Sequence, residues 1–111
     1  MLIFPLKKQW YEKIKSGEKK IEYREVKPYW ATRLWHEGCL PGELTPYDYE
    51  EIRGLAWPVS CYLQLGYNPN TRLHAFVKKV EIVNGKDTDL HIDKPVYAIY
   101  LENVKPQEEC A

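Results

Sequence analysis

The 111-residue chain has few cysteines and no long apolar run. Cys39, Cys61 and Cys110 are odd in number and widely spaced, which fits neither a disulfide framework nor a zinc site built on paired cysteines. Free thiols are typical of a reducing compartment, so we expect a cytoplasmic protein. The apolar runs are too short and too interrupted to span a bilayer, and the sequence therefore predicts no membrane segment.

A surplus of charge is also lacking, because sixteen Lys and Arg residues balance sixteen Asp and Glu residues. Proteins that bind nucleic acid over a broad surface usually carry a basic surplus, so any phosphate-binding surface here must be a local patch. The sequence has no Gly-rich phosphate loop and no nucleophile elbow. His36, His74 and His91 show no ligand spacing, and His36 with Cys39 would supply only two of the four ligands of structural zinc. We therefore expect no metal and no cofactor.

Tyrosine and tryptophan are abundant: nine Tyr and four Trp stand against two Phe. Their rings combine an apolar body with a polar group, which suits grooves and interfaces. A core this small also needs bulky residues to fill it. Trp10, Tyr29 and Trp30 thus either line a groove or pack in the core, and composition does not choose between the two.

Two short helices are predicted in the first third of the chain. Leu6, Trp10 and Ile14 recur at helical spacing after a first strand at 2–4, and Gly17 supplies the left-handed residue that ends a helix.

The second helix is predicted to begin at Pro28 and to close at Gly38. Its apolar stripe would be formed by Trp30, Leu34 and Trp35.

Strands are predicted over most of the remaining chain. Residues 59–65 alternate, and a long strand from 72 changes phase near 78–79, which indicates a β-bulge. Asn84-Gly85 is typical of a tight hairpin turn. The closing strand VYAIYLENV (96–104) is apolar on both faces, so it is predicted to lie in the centre of the sheet.

The predicted fold is α+β, a single domain over 1–111. It would hold five to six strands in a mixed or mostly antiparallel sheet, with two or three short helices. Small bulged sheets of this kind tend to curl into a half-open β-barrel. Residues 39–58 are interpreted as an excursion of loop and short helix, and 105–111 as a polar tail.

The segment SGEKKIEYRE (16–25) holds most of the candidate chemistry. Ile21 and Tyr23 are predicted to anchor the strand in the core, while Glu22 and Arg24 share the opposite face about 7 Å apart. Lys19 converges with them only if it lies in the turn. Arg can bind phosphate or carbonyl groups, Glu can accept from a base or act as a general base, and Lys can neutralise an oxyanion. The alternative is a solvated ladder of ion pairs, each worth under about 1 kcal/mol.

A second candidate patch lies in the turn GYNPN and the strand that follows it. Tyr67 could stack on a base, and Arg72 could contact phosphate. A well-packed hairpin turn with a surface arginine is the alternative.

The pattern G-x-K-x-x-E-x-R at Gly17, Lys19, Glu22 and Arg24 resembles the signature of the ASCH family. The later segments LGYNPNTRLHAFVKKVEI and PVYAIYLENV are similar to strands of that family, so the resemblance covers most of the chain. It implies a small PUA-like β-barrel with a cleft beside the helix–strand turn. The implied ligand is RNA or a nucleotide-like molecule, including a modified nucleoside.

Some small ASCH proteins are amidohydrolases that remove acyl groups from N4-acylated cytidine with a lysine, a threonine and a distant glutamate. Lys19 matches the lysine, but Glu22 stands at the threonine position. The distant glutamate has no recognisable counterpart between Glu81 and Tyr97.

Three functions therefore stay open: a binding module that uses Lys19, Glu22 and Arg24, an amidohydrolase that uses Lys19 and Glu22, and a protein-interaction domain. The last would use exposed aromatic residues and the acidic cluster near Asp48. The oligomeric state is left open.

Overall fold

The computed structural model describes residues 1–37, 39 and 59–107. Apart from Cys39, the predicted excursion at 39–58 lies outside the described residues. The described chain forms five strands and two α-helices, in the order β1 (Ile3–Leu6), α1 (Lys8–Ser16), β2 (Ile21–Glu25), α2 (Pro28–His36), β3 (Val59–Leu65), β4 (Leu73–Asn84) and β5 (Pro95–Pro106).

The strands form one mixed sheet in the order β1-β3-β4-β5-β2. β1 is parallel to β3, and the other neighbours are antiparallel. The α+β class and the strand number are confirmed. The described strands do not close into a barrel, because β1 and β2 remain the two edges of the sheet.

Helix α1 ends where the sequence predicts. Tyr11 and Ile14 are buried, while Lys13 and Lys15 lie in the last turn, where positive charge interacts favourably with the helix dipole. Gly17 adopts φ of 88°, the left-handed conformation that terminates the helix.

Helix α2 begins at Pro28, as predicted, but its apolar stripe is narrower than expected. Trp30 and Leu34 are buried, whereas Trp35 is 58% exposed. The assignment of Trp35 to the stripe is wrong because each residue turns the helix by about 100°. Trp35 therefore lies well away from the face that Trp30 and Leu34 share.

Strands β4 and β5 form the centre of the sheet. The predicted bulge is confirmed by a register shift between Val77 and Lys79. β5 lies between β4 and β2, and Val96–Ile99 are all buried, as the two-faced apolar pattern predicts. β5 continues to Pro106 and so includes the first residues of the segment interpreted as a tail.

The tight turn predicted at Asn84-Gly85 is wrong. A longer connection, residues 85–94, joins β4 to β5 and opens with a 3₁₀ turn at Gly85–Asp87. Gly85 is buried, and a Cβ there would lie 2.7 Å from Cγ1 of Val96 and 2.8 Å from the carbonyl oxygen of Ile92. This glycine therefore permits close packing of the connection against β5.

No helix in the ranges 1–37 and 59–107 is long and apolar enough to cross a membrane.

Candidate functional site

Strand β2 turns its charged face inward. Glu22 lies opposite Ile99 of the core in the β2–β5 ladder, and opposed residues share a face of the sheet. Glu22 is only 5% exposed, and Arg24 shares its face. Ile21 and Tyr23 are half-buried and lie outside the core cluster. The prediction that Ile21 and Tyr23 anchor the strand in the core is therefore wrong, and so is the picture of a solvated charge ladder.

The Glu22 carboxylate has a partner on each oxygen. Oε2 accepts a hydrogen bond from Nη2 of Arg24 at 2.8 Å, and Oε1 accepts from the backbone N–H of Tyr23 at 3.0 Å. The Lys19 ammonium lies 3.8 Å from Oε1. Because a buried charge is costly without partners, these contacts explain how a carboxylate can occupy the inner face.

Arg24 connects the two edges of the sheet. Its Nη2 also donates to the carbonyl oxygen of Pro5 in β1, at 2.7 Å. The guanidinium carbon lies 4.8 Å from the Trp30 ring centre and 5.4 Å from that of Phe4. Its Nε is buried, and no described residue accepts a hydrogen bond from it. The sheet is therefore curved enough for one side chain to span the gap between β1 and β2.

Lys19 lies in the turn between α1 and β2, the position that convergence with Glu22 requires. Its backbone N–H donates to the carbonyl oxygen of Lys13 at 3.0 Å, which continues the cap that Gly17 begins. Its ammonium forms an ion pair with Asp89 and lies 4.9 Å from the Tyr23 ring centre.

Asp89 is a site residue that the sequence does not identify. It belongs to the 85–94 connection and is separated from Lys19 by 70 positions in the sequence. Several acidic residues lie in that connection, and nothing in the local pattern distinguishes Asp89 from Asp87 or Asp93. The role of Asp89 is visible only in the folded structure, where it forms an ion pair with Lys19.

Three of these charged residues, Glu22, Arg24 and Asp89, line an open cavity of about 540 Å³, which we call the Glu22 cleft. The rings of Trp10, Tyr23 and Trp30 line it as well. Lys19 instead lines an adjoining cavity of about 280 Å³, the Lys19 cavity, which shares Trp10, Tyr23 and Asp89 as walls.

The aromatic residues thus divide between the two roles that composition left open. Trp10 and Trp30 line the Glu22 cleft, although Trp30 also stacks on Phe4 in the core at 5.3 Å. Tyr29 is half exposed and packs edge-on against Trp30, outside the cleft.

Tyr67 and Arg72 lie apart from this cleft. The Tyr67 side chain is 89% exposed, in the connection between β3 and β4. Arg72 donates from Nε to Oε1 of Gln64 at 3.0 Å and lies 5.7 Å from the Tyr62 ring centre. Neither residue lines the Glu22 cleft, so the structure does not join the two patches.

Burial and neighbouring charge shift two ionisable groups near the cleft. Burial raises the pKa of the Tyr23 phenol, and the negative charge of Asp89 adds to the effect. Burial also raises the pKa of the Cys61 thiol, with further contributions from Cys39 and Glu22. Cys61 is therefore held as a neutral thiol and is unsuited to act as a nucleophile.

Within the described ranges, no cluster of three or more His, Cys, Asp and Glu residues could hold a metal ion. Comparisons of the chain with protein-family models, with curated proteins and with solved structures find no match.

Proposed function

We propose that the Glu22 cleft binds a base of single-stranded RNA or of a nucleotide or modified nucleoside. In this proposal the chain is an ASCH-like domain, and its curved open sheet is a half-open, PUA-like barrel. The observation that carries the proposal is the inward-facing Glu22–Arg24 pair in the wall of an open, aromatic-lined cleft.

The side chains supply the contacts that base recognition requires. Glu22 is held by Arg24 and by the Tyr23 backbone, so it is a fixed acceptor for an exocyclic amino group. The Arg24 guanidinium is positioned between two strand edges and can donate to a base carbonyl. The Trp10 or Tyr23 ring can stack on the base, an interaction worth about 1–3 kcal/mol per base.

The test is a thermal-shift screen over nucleosides and nucleotides, followed by filter binding of short single-stranded RNAs at low salt. We expect Glu22→Gln to weaken the tightest ligand at least tenfold, because the amide loses the charge and one acceptor oxygen. Glu81→Gln is the matched control, since Glu81 forms its ion pair with Lys79 at the exposed surface. Absence of any binding by the wild-type protein at low salt would refute the proposal.

A second candidate, hydrolysis of N4-acylated cytidine or a related amide, is favoured by one observation. Asp89 lies against Lys19, so the 85–94 connection supplies a carboxylate where sequence comparison with the amidohydrolases finds none. The Asp89 side chain is 32% exposed against 6% for Glu22, so Asp89 is better placed to activate a water molecule. Lys19 would stabilise the oxyanion formed when that water adds to the acyl carbonyl. The C–N bond then breaks, and the leaving amine takes up the proton that Asp89 removed from the water.

Incubation with N4-acetylcytidine tests this second candidate. Asp89→Asn and Lys19→Ala should each abolish turnover, whereas Asp87→Asn, in the same connection, should not. Turnover that persists in Lys19→Ala would contradict the role given to the lysine.

A further inference from the structure

A net charge of zero does not exclude a local basic surface, because it does not say how the sixteen basic and sixteen acidic residues are distributed. Positive charge can be concentrated at one place while the whole chain stays neutral.

Part of this positive charge lines one groove. A cavity of about 550 Å³ lies between the C-terminal end of α1 and the bulged part of the β4–β5 ladder. Lys15, Lys20 and Lys78 line it and are exposed, and Glu102 is the one acidic residue among the described residues that line it. In the described part of the chain, none of these three lysines forms an ion pair. We call this cavity the lysine groove.

The Lys19 cavity lies between the lysine groove and the Glu22 cleft, as the residues that it shares with each of them indicate. Lys19 and Lys20 line both the lysine groove and the Lys19 cavity, and the Lys19 cavity shares Trp10 and Tyr23 with the Glu22 cleft. The three cavities therefore adjoin one another, with Glu22, Arg24 and aromatic rings at one end and exposed lysines at the other. This sequence of surfaces matches a single-stranded polynucleotide, which has a base to stack at one point and a charged backbone that continues.

We propose that the lysine groove holds the sugar-phosphate backbone of a single-stranded RNA whose base occupies the Glu22 cleft. The inference rests on the proposed function. It adds that the ligand is a strand of several nucleotides and not a free nucleoside. Exposed lysines that form no ion pair within the described ranges can contact phosphate, and each phosphate they neutralise releases counterions. The ammonium of lysine suits such contacts because it requires no fixed geometry.

The test compares a nucleoside monophosphate with a short single-stranded RNA that contains the same base. The variant is the double substitution Lys15→Gln and Lys78→Gln, and Lys86→Gln is the control, since Lys86 is exposed but lines none of the three cavities. We expect the double variant to bind RNA on the order of tenfold more weakly at low salt. Its slope of log affinity against log salt should fall by about 1.4, or about 0.7 for each lost phosphate contact.

The outcomes separate this inference from the function on which it rests. In the double variant the affinity for RNA should fall by more than the affinity for the monophosphate, which carries a single phosphate, and urea unfolding should confirm that both variants fold. If wild-type protein binds the monophosphate but gains nothing from the longer strand, or if the double variant matches Lys86→Gln, the lysine groove is not a backbone site. If wild-type protein binds neither ligand, the proposed function itself fails.

Discussion

At the residue scale, the site depends on a carboxylate placed where an apolar side chain would be expected. Glu22 lies opposite Ile99 on the core-facing side of β2, and Arg24, Lys19 and a backbone N–H compensate its burial. Such an arrangement is a weak source of stability, because the desolvation of the two charges offsets most of their attraction. The folded state is strongly destabilised only when one partner of the pair is removed.

Glu22→Ala is expected to lower the free energy of unfolding by about 3 kcal/mol, because the Arg24 guanidinium loses its carboxylate partner near the core. Urea unfolding followed by tryptophan fluorescence measures the change. Glu81→Ala, at the exposed pair with Lys79, should cost less than about 1 kcal/mol. Equal costs for the two substitutions would mean that the inward placement of Glu22 is energetically unimportant.

Cys61 is expected to resist alkylation in the native protein. Burial raises the pKa of its thiol, and the side chain is inaccessible within the core. Peptide mapping after treatment with iodoacetamide at pH 8 should therefore show unmodified Cys61, and full modification should appear once urea unfolds the chain. Rapid native-state modification would place Cys61 at an accessible surface.

At the scale of elements, two connections position the charged groups. The left-handed Gly17 ends α1, as the sequence predicts. Lys19 lies in the turn before β2, a position that the sequence indicates only as the condition for its convergence with Glu22. The 85–94 connection brings Asp89 to Lys19, and the sequence predicts a tight turn in its place. The difference arises because Asn-Gly is a local signal, whereas the packing of Gly85 against Val96 depends on a residue across the ladder.

Gly85→Ala is expected to destabilise the protein by about 1–3 kcal/mol, since the added methyl group would collide with Val96 and with the Ile92 backbone. It should also weaken any ligand that contacts Asp89. Gly17→Ala is the comparison: it meets no atom within 4 Å and costs only the strain of positive φ, about 1 kcal/mol. Denaturation midpoints and ligand affinities of both variants check this. The proposed packing role would be wrong if Gly85→Ala were neutral.

At the scale of the whole molecule, one side chain and the distribution of charge matter most. Arg24 links β1 to β2, the two edges of the five-stranded sheet, and so holds the Glu22 cleft between them. Lys15, Lys20 and Lys78 line one groove and form no ion pair within the described ranges, so a neutral chain can still carry a local basic surface.

Stability is expected to decline as the pH rises above about 10, the ordinary pKa of tyrosine. Burial raises the pKa of Tyr23 and of Tyr97, and a hydrogen bond to Glu81 raises that of Tyr100. The folded state therefore holds these protons more tightly than the unfolded state, and the stabilisation is present below pH 10 and lost above it. Urea midpoints between pH 8 and pH 11 measure the decline.

Tyr97→Phe should flatten this pH dependence, because it removes one buried phenol. Tyr67→Phe changes a ring that is 89% exposed and should retain the wild-type profile. The difference between the two variants is the decisive quantity, because each of them removes a single phenol and keeps every other ionisable group. Identical profiles would show that Tyr97 does not contribute to the decline.

The sequence by itself determined the helices, the central strand, the bulge and the spacing of Lys19, Glu22 and Arg24. Each of these follows from patterns within a few residues: helical or strand periodicity, a capping glycine, a change of phase. Only the tertiary structure decided which face of β2 is buried, that Asp89 meets Lys19, and that Arg24 joins the sheet edges. Those features depend on contacts between residues far apart in the chain, and no local pattern encodes which distant group will satisfy a charge.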